Sequence, residues 1–125
     1  IKKHLIENNY DIIDYGTDSA ASVDYPIYAR KAAKAVASGQ CDKGIVCCGT
    51  GIGVSITANK EKGIRCALCT NEFMAEMAKR HNNANMLAFG ARITPVEDVL
   101  KMVDIWLNAA FEEGRHQRRI DLIEM

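Results

Sequence analysis

Excess charge of either sign is absent from this sequence, in which sixteen lysines and arginines balance sixteen aspartates and glutamates. With no global field to attract nucleic acid or an anionic membrane, any anion must be held locally, and the basic run at 115–119 is the candidate. No apolar run approaches the roughly 20 residues that a membrane-crossing helix needs. The opening Ile-Lys-Lys-His is not followed by the apolar core of a secretory signal, so the expected compartment is the cytoplasm. Pro/Gly/Ser-rich spacers are missing as well, and 125 residues suit one domain around one core, which is the reading for 1–125. Aromatics are sparse, yet 48% of residues are apolar and 26% charged, a profile of globular rather than disordered chains. Five cysteines, an odd number without a secretory signal, argue against a disulfide framework and for reduced thiols that are free to do chemistry.

Three short apolar runs, 43–48, 64–69 and 84–89, read as buried strands, each bounded by turn residues and followed by a helical pattern. A weaker fourth lies at 10–14. Helices are expected at about 25–38, 51–61, 71–81 and 95–110, with Asn71 and Thr94-Pro95 as start signals. Alternation of strand and helix implies parallel strands joined by crossovers, a doubly wound three-layer α/β sheet of the Rossmann-like or flavodoxin-like kind. Residues 1–8 read as the second half of an amphipathic helix without a cap, an initiator Met or a strand before it. The expectation is therefore an N-terminally incomplete chain of a five-stranded fold, whose absent first strand sits near the middle of the sheet.

The strongest local signal is Cys48-Gly49-Thr50-Gly51-Ile52-Gly53, where a strand gives way to a helix. Glycines let the backbone approach a ligand, and the free amides of a helix start suit an anion. Thr50 adds a hydroxyl. The spacing is neither a dinucleotide fingerprint nor a P-loop, and such a turn alone is equally compatible with a plain tight turn. Cys48 adds weight, because a thiol beside a helix N-terminus has its thiolate favoured. Cys47, pointing to the other face, fits a core role better. Cys66 and Cys69 suggest zinc or redox chemistry by spacing, but along a strand they face opposite ways, which favours packing. Cys41 lies in a turn with no evident partner. His81-Asn82 ends a helix just before a strand and is read as lying on the same side of the sheet as Cys48, where acid–base work needs it; helix capping is the plainer alternative. Arg115 and Arg119, one helical turn apart, can converge on a phosphate, or else belong to a solvated basic tail.

Together these pieces resemble the ribose-5-phosphate isomerase B family, which includes the galactose-6-phosphate isomerase subunits. The resemblance rests on Val23-Asp24-Tyr25-Pro26, residues 42–53, Ala58-Asn59-Lys60, Gly63-Ile64-Arg65, His81-Asn82, Phe89-Gly90-Ala91-Arg92 and Gly114-Arg115-His116-Gln117-x-Arg119. It implies a cofactor- and metal-independent aldose–ketose isomerase of the pentose phosphate pathway. Cys48 would move a proton between C1 and C2 through an enediolate held by the amides of Gly49, Thr50, Gly51, Ile52 and Gly53. His81 would open the sugar ring. Asn82, Arg92, Arg115 and Arg119 would bind substrate, and Tyr25 would line the pocket. Homodimers or dimers of dimers with shared sites are implied, pairing Cys48 of one chain with His81 or the arginine tail of the other, with 120–125 packed on the partner.

Galactose-6-phosphate subunits differ, one type lacking the Cys-Gly-Thr-Gly turn and the other the His-Asn pair. This chain has both, which favours a self-sufficient enzyme acting on ribose 5-phosphate, with allose 6-phosphate or galactose 6-phosphate as alternatives. A non-catalytic flavodoxin-like phosphate-binding module is the rival from another class. Two departures stand out: the family's opening strand and Asp-His have no match here, and Asn83 replaces a common Asp.

Overall fold

The computed structural model describes residues 1–17 and 22–125. Three strands form one parallel sheet: β1 (Gly44–Cys48), β2 (Cys66–Leu68) and β3 (Met86–Gly90), in the order β1-β3-β2. Around them run α1 (Lys2–Glu7), α2 (Tyr25–Ala37), α3 (Ile52–Asn59), α4 (Glu72–Arg80), α5 (Val96–Asn108) and α6 (Arg115–Ile123). β3 is central and every one of its five residues is buried, which is why it reads as an unbroken apolar run rather than an alternating one.

Successive residues of β3 serve opposite layers. Leu87 and Phe89 pack against α4 and α5 through Ala75, Ala78, Val99, Met102, Val103 and Trp106, with Leu5 of α1 at the margin. Met86 and Ala88 pack against α2 and α3 through Ala29, Ala33, Val36, Val54 and Ala58. The chain is thus an α/β/α sandwich. Small side chains on α2 and α3 let those helices lie close to the sheet. Trp106, wholly buried, donates its indole N–H to the Ala84 carbonyl at 2.9 Å, so its one polar group is satisfied where α5 crosses the start of β3.

Two asparagines splice strands to their neighbours. Asn59, at the end of α3, accepts from the Cys66 amide at 2.8 Å and donates to its carbonyl at 2.9 Å, pairing the start of β2 as another strand would. Asn85 likewise accepts from Arg65 N–H and donates to the Gly63 carbonyl. The motifs around Asn59 and Gly63 therefore build the sheet.

The fourth strand expected at 10–14 is irregular, and no strand pairs with it among the described residues. Tyr10 and Ile13 are exposed, so neither a ladder nor burial holds the segment extended. Among the described residues the sheet accordingly has three strands. None of the described helices is long and apolar enough to cross a membrane.

Candidate active site

β1 ends at Cys48, level with Gly90 of β3. The chain then turns through 49–51 into α3, and this turn is wedged against the end of β3. Gly51 has φ +82°, and a Cβ there would stand 2.5 Å from Leu68 Cδ1 and 2.8 Å from the Phe89 carbonyl carbon, so glycine is required for both conformation and space. This geometry points the first amides of α3 back at the thiol. Gly51 N–H donates to Cys48 Sγ at 3.2 Å. Partial burial pushes the Cys48 thiol pKa up, but the amides of Val54, Gly51, Thr50 and Gly53 outweigh it and leave the pKa below the ordinary thiol value. Thr50 Oγ1 accepts from Ile52 N–H and helps hold the turn.

Two further side chains border this turn. The Tyr25 phenol, from the first residue of α2, occupies the space a Cβ on Gly53 would need. Arg92 follows β3; its N–H donates to the Gly49 carbonyl, and its side chain passes over Gly49. Cys48, the 49–53 turn, Tyr25 and Arg92 thus share the carboxyl-terminal edge of the sheet.

His81 and Asn82 do not. The sequence reading placed them on the same side of the sheet as Cys48, but they precede β3 at the opposite, amino-terminal edge. The anchors are direct: the Asn85 carbonyl accepts from Gly44 N–H, the first residue of β1, and Arg65, just before β2, donates to the carbonyls of Asn82 and Asn83. A five-residue strand separates the two edges by about 13 Å. In a parallel sheet each helix must carry the chain back to the starting edge, so the residue that caps α4 arrives there too. α6 lies at the same edge, since Glu124 pairs with Arg65 at 2.6 Å and His116 stacks on His81 with centroids 4.1 Å apart. Arg115 and Arg119, both exposed, therefore lie near His81 and not near Cys48. An open cleft of about 560 Å³ runs along this edge past Lys60, Arg65, Asn82 and Glu124, away from the thiol.

The family model described as Ribose/Galactose Isomerase matches residues 1–123. The chain belongs to this family. It is 47% identical over 123 residues to ribose-5-phosphate isomerase B of Escherichia coli K12, covering 98% of this chain and 83% of that one. Among solved structures, ribose-5-phosphate isomerase B of Clostridium thermocellum superposes with a TM-score of 0.97 at 50% identity, covering 98% and 83% of the two chains. The Mycoplasma genitalium enzyme with bound ribulose-5-phosphate gives 0.93 at 42% identity, covering 98% and 82%. The Rossmann-like α/β fold is thereby shared with these family members.

Of the five thiols in this family member, Cys48 is the one set against the first amides of a helix, with its pKa lowered by them. Burial pushes Cys66 up to about 12, with Cys69 adding to it, and Cys69 to about 11. These two belong to core clusters on opposite faces of the sheet, so they cannot hold one ion together. Cys47, expected in the core, is exposed instead: among the described residues β1 lies at the edge of the sheet, and the cluster on that face reaches Ile45 but not Cys47. Cys41 packs at the margin of the α2/α3 layer. Sequence reasoning missed Glu112, whose carboxylate lies 3.6 Å from His81 and 3.5 Å from His116, and it gave His116 no role. The nearness of Glu112 to the Gly114-Arg115-His116 motif was the available signal.

Proposed function

We propose that this chain is a cofactor-independent aldose–ketose isomerase that interconverts ribose 5-phosphate and ribulose 5-phosphate in the cytoplasm. The observation that carries this reading is the Cys48 thiol at a strand end, its pKa lowered by four backbone amides. Such an isomerisation requires one base able to reach C1 and C2, and donors for the oxyanion that develops between them. The Cys48 thiolate takes the proton from C2 of the open-chain aldose and returns it to C1. The amides of the 49–53 turn hold the enediolate oxygens, with Thr50 Oγ1 beside them. Tyr25 walls the pocket. Arg92 binds substrate from the Cys48 edge.

Ring opening acts on C1, adjacent to the carbon that loses its proton, so His81 and Cys48 must serve one sugar within a few ångströms of each other. About 13 Å of strand separates their edges within one chain. This supports a homodimer in which Cys48 of one protomer works with His81, Asn82, Arg115 and Arg119 of its partner, the arginines gripping the phosphate. A two-fold axis generates two such sites at once. Exposed Ile27, Ile52 and Ile56 on the α2/α3 layer give that pairing an apolar surface beside the thiol.

The test is to incubate the protein with ribose 5-phosphate in D₂O, following ketose formation and deuterium entry by NMR. Cys48→Ala is expected to lower turnover by about 10²–10⁴-fold, the usual contribution of a positioned base, while substrate binding persists. Mixing Cys48→Ala with His81→Ala should restore activity, because a mixed dimer regains one intact site. Absence of conversion by the unaltered protein would sink the reading, and no restoration on mixing would sink the shared site.

A further inference from the structure

His81, Glu112 and His116 form a cluster of which the isomerase reading uses only the first. Their backbones are fixed from separate directions. His81 caps α4, Glu112 N–H donates to the Arg80 carbonyl at 3.0 Å, and His116 opens α6 after a turn at Glu113 and Gly114. One carboxylate oxygen of Glu112, Oε2, is gripped by Arg80 at 2.6 Å. The other, Oε1, faces Nε2 of both histidines, at 3.6 Å from His81 and 3.5 Å from His116. The two rings are stacked, parallel within 11° with centroids 4.1 Å apart, so a ring must turn before both Nε2 lone pairs point at one ion.

Those separations are long for an N–H···O bond, whose usual length is about 2.7–3.2 Å. They suit something else. Two metal bonds of about 2.1 Å at a tetrahedral angle set the ligand atoms roughly 3.4 Å apart. All three ligand atoms lie within 4.8 Å of one another, so small side-chain rotations bring them onto one ion. Two imidazoles with one carboxylate select zinc, cobalt or nickel over magnesium and calcium. Arg80 on the outer carboxylate oxygen is the kind of supporting bond that orients a metal-bound carboxylate. Arg80, Arg115 and Arg119 oppose a dication in this corner, which makes the site one of exchangeable occupancy.

We infer that His81, Glu112 and His116 form a site for a zinc-like divalent ion whose occupation inhibits the enzyme. A metal on His81 Nε2 uses the lone pair that ring opening needs. Metal binding here stands apart from the proposed activity, whereas the inhibition rests on it.

Cobalt(II) absorption on the intact protein tests the binding. The expected result is one cobalt per chain with visible d–d bands and no sulfur-to-cobalt charge-transfer band, unchanged in Cys48→Ser. Glu112 is exposed, so Glu112→Gln should fold normally, as circular dichroism can check, and should weaken cobalt binding at least tenfold. His81→Asn should do the same. In the isomerase assay, added zinc should inhibit and EDTA should reverse it, with Glu112→Gln shifting the inhibition curve at least tenfold relative to its own zinc-free rate. Cobalt binding that survives both substitutions, or that is lost with Cys48, overturns the site. Tight binding without inhibition overturns the inhibitory role and leaves the proposed activity standing.

Discussion

Replacing Gly51 with alanine separates two constraints that meet at the thiol turn, and Gly63→Ala supplies the comparison. Both glycines have φ above +80°, but a Cβ at Gly63 meets nothing within 4 Å, whereas one at Gly51 strikes Leu68 and the backbone of Phe89 and Gly90. An L-residue in the left-handed region costs about 1–2 kcal/mol, partly offset by about 0.4–1 kcal/mol from a stiffer unfolded chain. Gly63→Ala should therefore cost about 1 kcal/mol. Gly51→Ala adds forced overpacking against backbone, about 1–3 kcal/mol more, for a total of about 2–4 kcal/mol. With an unfolding entropy of about 2.1 cal/mol/K per residue, 1 kcal/mol moves the melting temperature of a chain this size by about 4 °C. The expected drops are about 4 °C for Gly63→Ala and about 8–16 °C for Gly51→Ala. The clash must also lift the turn off the end of β3, carrying its amides away from Cys48. Iodoacetamide alkylation at neutral pH, read at Cys48 by peptide mapping, should report a raised thiol pKa in Gly51→Ala and no change in Gly63→Ala. Equal melting temperatures in the two variants, or an unaltered Cys48 in Gly51→Ala, would refute the claim that this glycine holds the amides on the sulfur.

The same thiol fixes the pH dependence. In the proposed reaction Cys48 acts as thiolate and its folded pKa lies below the ordinary value, so kcat/KM should rise with pH on a limb centred below that of the same thiol in the unfolded chain, falling tenfold per unit on its acid side; a limb centred at or above the unfolded-chain thiol contradicts the amide argument. At the other edge, Arg65 ties Asn82, Asn83 and Glu124 together. Arg65→Gln should lose about 2–3 kcal/mol in denaturant titration and about tenfold in turnover, with Cys48 alkylation unchanged; full turnover despite the lost stability would make the latch structural only.

How much of this was legible depended on how local its cause was. The strands at 43–48, 64–69 and 84–89 and the four main helices were readable because each is announced by its own residues. Asn71 is an example: its side chain accepts from Met74 N–H at 2.9 Å, the cap that its position before an amphipathic run suggests. The setting of Cys48 was equally local, since strand, turn and helix start lie within eleven residues. Burial and pairing are not local. Cys47 and Val46 read alike in sequence, yet Val46 faces α2 and α3 while Cys47 lies where no core cluster reaches. Residues 10–14 have the composition of a strand, yet no strand among the described residues pairs with them.

The misplaced histidine has a different origin, because nothing non-local was needed to avoid it. Parallel strands all start at one edge, so a residue immediately before a strand belongs to the starting edge and a residue immediately after one belongs to the finishing edge. Cys48 closes β1, while His81 and Asn82 stand just ahead of β3. Once the alternation of strand and helix is granted, their separation by the length of a strand follows from chain order alone. A chemistry that needs both on neighbouring carbons is therefore what argues for the shared site proposed above. Arg92 obeys the same rule from the other direction: it follows β3 and so returns to the thiol, whereas Arg115 and Arg119, on the helix that stacks His116 over His81, do not.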